Sequence, residues 1–260
     1  MKSFKFYVTE ESFSLDDLDM EFIRQAEQIT TFNLNETHFR TLEYKKEIQH
    51  LFVKHFFPGF SLSDTIDKVD KDAINKVVRQ LKAIDKERFK KLHRYNLDRV
   101  GPGEATLFFI INNAVLGGGG SAGTDLFVDG KLYEIKGAKY NVDENTVSDF
   151  KLGGTVELQD LMGRLMDLRD RLGISGSRTE ISKNRMKAMR REAPKEFEEI
   201  EQEYVERAFQ YLNKNDLIIM NNNDAIKNQG EAMIVGKIRK RDVGLERLTS
   251  NTIKPFIRVR

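Results

Sequence analysis

Residues 123–137, GTDLFVDGKLYEIKG, constrain the fold of this chain more than any other stretch. Asp129-Gly130 stands between two short alternating runs. An Asp-Gly pair in that setting favours a type I′ turn, whose two central residues both need positive φ. A two-residue turn sets the register. Val128 faces Lys131, Phe127 faces Leu132, Leu126 faces Tyr133 and Asp125 faces Glu134. Directly opposed residues bring their Cβ atoms to roughly 5 Å on one face, and Lys136 shares that face with Glu134 at the strand's two-residue period. Phe127 and Leu132 lie on the same face, which argues against a plain solvated surface. Leu126, Val128, Tyr133 and Ile135 line the other, so the hairpin is expected to be covered on both sides. Adjacent, partly buried carboxylates need a cation or a shared proton. A divalent cation held by oxygen ligands, with a lysine beside it, is the arrangement that phosphodiester hydrolysis requires.

The rest of the chain divides at Gly101-Pro102-Gly103. Residues 1–100 read as a helical region, with amphipathic spacing over 15–30, 36–57 and 63–95. Pro58-Gly59 separates the last two, and Ser63 or Asp64 is the expected cap of the third. Residues 104–116 are apolar enough to be buried. Their length favours a helix, while their β-branched and aromatic content allows a strand. The glycine-rich run 117–123 is a loop leading into the hairpin. It lacks the GK[ST] ending of a phosphate-binding P-loop, and a hairpin rather than a helix follows it. Residues 140–154 read as a polar loop and 155–172 as a helix. Residues 178–213 read as a long helix broken at Pro194. Strands are expected at 216–220, 232–236 and 253–259.

Bulk composition excludes several classes. The chain has 260 residues, 32% of them charged, yet a net charge of only +2. Any nucleic-acid surface must therefore come from local clustering. Cysteine is absent, which removes disulfides and thiolate zinc sites. There is no run of about 18 apolar residues and no signal-peptide core at the N-terminus. The expectation is a soluble, intracellular, cytoplasmic protein with no membrane partner.

Glu104 near a helix start, Asp125 on one strand and Glu134-x-Lys136 on the next resemble the PD-(D/E)XK nuclease superfamily. The resemblance covers residues 101–139; the proline that commonly precedes the first Asp is replaced by Thr124. It implies an α/β fold, with a restriction-endonuclease-like core over 101–260. That core would have a central mixed sheet flanked by helices, a helical insertion at 155–213, and the helical N-terminal region added to it. It implies that Asp125 and Glu134 bind Mg²⁺ or Mn²⁺, with the Ile135 carbonyl as a further ligand and Glu104 completing the acidic set. Lys136 would position the attacking water or stabilise charge in the transition state. The implied activity is a metal-dependent deoxyribonuclease of the endonuclease type, restriction-type or phage-encoded. Cutting both strands favours a homodimer with paired sites. The alternative is a nucleic-acid-binding or assembly protein on a degenerate nuclease core. A third reading is a structural α/β protein whose hairpin charges are incidental.

DNA contacts are sought where positive charge clusters. Arg178, Lys183, Arg185, Lys187, Arg190 and Arg191 form one basic segment, and Lys237, Arg239, Lys240 and Arg241 a second. Lys151 and Gln159 follow the motif, but the helix carrying Gln159 lacks the Gln-x3-Tyr pattern of RecB-like exonucleases. The acidic run 196–206 would repel DNA and is expected to face elsewhere. His38, His50, His55 and His93 show no ligand spacing and read as packing or surface residues.

Overall fold

The structure, a computed structural model, describes residues 41–43, 45–94, 101, 103–117, 125–153, 159–176, 180–223, 228–249 and 252–260. The helix expected at 15–30 and the glycine-rich run 118–123 lie outside these residues, as do Arg178 and Thr124. The protein is mixed α/β. Its strand ladders are mostly antiparallel, where a mixed sheet was expected, and seven α-helices accompany them among the described residues. The chain forms two compact units, Met1–Ile135 and Lys136–Arg260. The 101–103 break lies within the first.

In the first unit, α1 (Lys45–Leu51) runs on as a π-helical turn, Phe52–Phe56. The Phe52 ring stacks on Phe109 with centroids 4.2 Å apart. The single helix expected over 63–95 is two. Residues Leu62–Asp64 form only a 3-10 turn capped by Ser61. Asp70, rather than Ser63 or Asp64, caps α2 (Lys71–Ile84), its carboxylate accepting the Ala73 N–H at 2.9 Å. The α2 stripe Ile74, Val77, Val78 and Leu81 is buried, at the spacing of one helical face. Asp85 ends α2 and starts α3 (Lys86–His93), because its extended backbone breaks the helix while its carboxylate accepts the Arg88 N–H. After Gly103, whose φ of 90° is left-handed, comes α4 (Glu104–Ile110), buried at every position. The 104–116 stretch is therefore helix first and strand second, since β1 (Ala114–Leu116) follows.

β1 pairs antiparallel with β2 (Leu126–Val128), and β2 with the start of β3 (Lys131–Asn141). The register is Leu126↔Tyr133, Phe127↔Leu132, Val128↔Lys131. Asp129 and Gly130 have φ of 47° and 81°, so the turn has the positive φ pair expected of Asp-Gly.

The second unit contains strands where a polar loop was expected. β3 continues to Asn141, and β4 (Thr146–Ser148) and β5 (Leu152–Gly153) follow. These short polar segments are strands because β10 (Thr252–Arg258) supplies a pairing edge about a hundred residues away in sequence. β9 (Val243–Thr249) lies on the other side of β10 and was not anticipated. Pro255 falls at a register shift in β10, which is where a residue without an N–H is tolerated in a paired strand. Gly244 leaves room for the facing Phe256 ring, since a Cβ there would lie 2.2 Å from Cζ.

The 155–213 stretch is not wholly helical. α5 (Gln159–Arg171) is followed by β6 (Glu180–Ile181), which pairs with β9, and then by α6 (Lys183–Glu192) and α7 (Pro194–Leu212). Pro194 begins α7 at a position where its missing N–H has no cost. Residues 197, 200, 204, 208 and 212 of α7 are buried against Leu161, Leu165 and the strands. β7 (Asp216–Asn221) and β8 (Ala232–Gly236) form an antiparallel pair, and the Asn222 N–H donates to the Ala138 carbonyl of β3 at 2.7 Å.

Candidate functional site

The hairpin presents two different faces. Leu126, Val128, Tyr133 and Ile135 are all no more than 5% exposed. On the other face Phe127 and Leu132 are 40% and 45% exposed, so the covering expected on both sides is missing at the tip. Cover returns toward the motif, where Glu134 is 4% exposed.

The ladder of β2 ends at Leu126. The Asp125 N–H donates to the Tyr133 carbonyl at 3.0 Å, while the Gly117 N–H donates to the Asp125 carbonyl at 2.9 Å. The Asp125 carboxylate accepts the Ile135 N–H through Oδ2 at 2.7 Å. A side-chain oxygen thus takes the place a strand carbonyl would hold, and the charge-assisted bond pins the carboxylate to the backbone just after Glu134. Asp125 is thereby bonded to the β3 backbone on either side of Glu134, as a cap on the strand edge rather than in a regular cross-strand pair. Lys136 follows Glu134 at the two-residue period of β3, as the first residue of the second unit, and is half-buried.

Glu104 is buried at 8% exposure at the first position of α4. Its carboxylate folds back over Gly101, where a Cβ would lie 2.6 Å from Oε1. It was expected to complete an acidic set. Among the described residues, however, no three Asp, Glu, His or Cys side chains form a group that could hold a metal. The residues that could still hold a cation are Asp125 and Glu134, with the Ile135 carbonyl, if their oxygens converge. Such a set suits Mg²⁺, which is commonly held by one or two carboxylates and completes its shell with water and phosphate oxygens.

Two features of the fold, one in each unit, were not foreseen. Lys45 of α1 is 2% exposed, and its ammonium donates to the carbonyls of Phe108 and Ala114, the latter at 3.0 Å. Gln49, one turn on, donates to Phe109 O at 2.9 Å. Together they cap the C-terminal carbonyls of α4, the helix that begins with Glu104. Burial pushes the Lys45 ammonium well below its ordinary pKa. The second feature is Asn221-Asn222 at the end of β7. Asn221 is fully buried and accepts the Tyr140 and Asn223 N–H groups at 3.3 and 3.0 Å. Asn222 lies over Gly137, so close that a Cβ there would stand 1.9 Å from Nδ2. The only sequence signal was a run of asparagines after an apolar strand.

The basic segments are largely engaged within the fold. Arg190 pairs with Glu201 at 2.5 Å, Lys240 with Glu206 at 2.5 Å and Arg239 with Asp242 at 3.0 Å. Lys237 donates to Asn213 O at 2.8 Å. Arg185 packs against Gly176 and donates to Glu180 O at 3.3 Å. Arg191 pairs with its neighbour Glu192. Lys151, Lys183 and Lys187 are exposed, as is Arg241. Gln159 opens α5. His93 is fully buried and stacks on Phe89 with centroids 5.8 Å apart, as a packing residue does. No helix among the described residues is long and apolar enough to cross a membrane. No family model, curated protein or solved structure matches this chain.

Proposed function

We propose that the protein is a metal-dependent deoxyribonuclease, of the endonuclease type, whose reactive centre is the carboxylate pair of the hairpin. The observation that carries this reading is the Asp125 carboxylate, fixed by the Ile135 N–H beside the buried Glu134. Two anionic side chains held at one strand end have a use if they share a cation. Asp125 and Glu134, with the Ile135 carbonyl, would hold Mg²⁺ or Mn²⁺. A cation bound there would polarise the scissile phosphate and lower the pKa of an attacking water. Around it, the Ile135 N–H holds Asp125 in one orientation, and Lys136 stabilises negative charge on the phosphate or orients the nucleophile. The reading rests on Asp125 and Glu134 and not on Glu104. Exposed Lys151, Lys183, Lys187 and Arg241 are the remaining candidates for phosphate contacts.

The test is incubation with supercoiled, linear and branched DNA, with and without Mg²⁺. Cleavage that requires Mg²⁺, is lost in Glu134→Gln and is lost in Lys136→Ala with DNA binding retained supports the proposal. No cleavage of any of the three forms at any Mg²⁺ or Mn²⁺ concentration refutes it. The second reading, a nucleic-acid-binding or assembly protein on a degenerate core, is favoured by the absence of a three-residue metal-holding group among the described residues. It predicts DNA binding that is indifferent to the cation.

A further inference from the structure

We propose that the outward face of β10 is a platform for a single strand of DNA, on which Phe256 stacks with a base while Arg258 and Arg260 meet its phosphates. β10 alternates between two faces, as the two-residue period of a strand requires. Ile253, Pro255 and Ile257 are buried, and Ile253 and Ile257 belong to the core cluster with residues of α5, α6 and α7. Lys254, Phe256 and Arg258 take the other face, and Arg260 follows two residues on. The Phe256 ring leans across the ladder over Gly244, its partner on β9, because glycine leaves the space. Phe256 stays half-exposed there, and the Arg258 guanidinium lies 5.6 Å from its ring centroid. A half-exposed ring set among cations is what single-strand recognition uses, the ring taking a base and the cations the backbone.

The cations of this row are held in place. Arg258 Nη1 donates to the Arg241 carbonyl at 2.9 Å. Arg260 and Arg239 share Asp242, which is 7% exposed: Arg260 Nη2 donates to Oδ1 at 2.5 Å and Arg239 Nε to Oδ2 at 3.0 Å. One carboxylate thus fixes two guanidinium groups and neutralises only one. A guanidinium has five N–H donors, so each keeps several for a ligand. Lys254 lies 3.5 Å from Asp149, whose other oxygen pairs with Lys139 at 2.6 Å, and the Asp149 N–H donates to Glu246. Taken with the groups bonded to it, the row sets Lys139, Lys254, Arg239, Arg258 and Arg260 against Asp149, Asp242 and Glu246.

The chemistry of the row identifies the occupant. It is a positive strip on a chain whose net charge is only +2, which is the local clustering a polyphosphate backbone needs. Groups already fixed lose less freedom when they bind. Successive outward residues stand about 7 Å apart along a strand, close to the phosphate-to-phosphate step of an extended single strand. A duplex keeps its bases stacked inside and offers Phe256 no free base. In naming DNA the inference rests on the proposed nuclease; the surface itself does not depend on the carboxylate pair.

Fluorescence anisotropy of a labelled oligothymidylate with the full chain, in EDTA and over a range of salt concentrations, tests this apart from cleavage. A protein that cuts DNA but fails here loses only this inference. The wild type should bind the oligonucleotide more tightly than a duplex of the same length, and polyglutamate should not compete. Phe256→Leu keeps an apolar side chain over Gly244 and should weaken binding about tenfold, the loss of one base stack, with the salt dependence unchanged. An abasic oligonucleotide should bind the wild type with a similar loss. Arg258→Gln should lower the slope of log K against log salt by about 0.7, one phosphate contact on a single strand. Lys76→Gln, on the exposed side of α2, removes the same charge elsewhere and should bind as the wild type does. No binding at low salt overturns the proposal, as do equal affinity for the duplex, a folded Phe256→Leu that binds like the wild type, or Lys76→Gln matching Arg258→Gln. If Phe256→Leu fails to fold, the abasic oligonucleotide decides, and its binding as tightly as oligothymidylate overturns the stacking role.

Discussion

Replacing Asp125 separates its mechanical task from its proposed chemical one. Its Oδ2 accepts the Ile135 N–H at 2.7 Å, and Ile135 is 3% exposed. Asp125→Ala leaves that donor buried without this acceptor. Hydrogen bonds to charged groups contribute about 1.5–3 kcal/mol, and a stranded buried donor costs about 1–3 kcal/mol. A loss of about 2 kcal/mol is therefore expected, or a fall in Tm of about 4–8 °C for a chain near this length. Asp125→Asn keeps an oxygen acceptor of the same reach and loses only the charge. Its cost should be about 1 kcal/mol, the difference between a charged and a neutral acceptor. Both variants lose an anionic ligand, so both should lose Mn²⁺ affinity and Mg²⁺-dependent plasmid nicking. Circular-dichroism melting, calorimetric Mn²⁺ titration and the nicking assay read these three effects separately. An Asp125→Ala protein that melts with the wild type would show that the carboxylate does not hold β3. Full cleavage by a folded Asp125→Asn protein would refute the proposed chemistry.

Two further outcomes concern stability. Lys45 has a folded pKa well below its ordinary value of 10.5, caused by burial. Between those two values the unfolded chain binds the extra proton, so stability rises with pH across that window. The penalty is present in full below the folded value. One proton gives a slope of at most about 1.4 kcal/mol per pH unit, and urea denaturation against pH should show it flattened in Lys45→Met. Gly137→Ala drives a Cβ to within 1.9 Å of the Asn222 amide. It should cost about 1–3 kcal/mol by overpacking, and the double variant with Asn222→Ala should recover most of that loss in thermal melts.

Features that depend on a few neighbouring dihedrals were legible in the chain. The Asp129-Gly130 turn and its register are one, because positive φ at two consecutive residues leaves few alternatives. The break before Pro194 and the helical stripes of α2 and α7 are others. The candidate site was partly legible for the same reason. The turn brings Asp125 toward Glu134, but nothing local indicates that the Asp125 carboxylate ends the ladder by taking the Ile135 N–H. Asp85 shows the limit even for a local signal: one residue closes α2 and opens α3, where the apolar spacing runs on unbroken.

Long-range pairing decided the rest. Residues 140–154 are too polar and too short to declare themselves as strands, and they become strands because β10 offers its backbone to them. β9, Lys45 and Glu104 follow the same rule. β9 exists as a partner of β10 and β6, and Lys45 is buried by the carbonyls it caps 63 and 69 residues along the chain. Glu104 is an ordinary first-turn acid by its sequence position, and only its fold-back over Gly101 shows where its carboxylate goes. The hairpin's dihedrals are set by steric repulsion within a few bonds, which composition encodes directly. Strand partners, buried charges and the membership of a site are set by backbone groups and solvent exclusion that come from distant residues, which no local pattern carries.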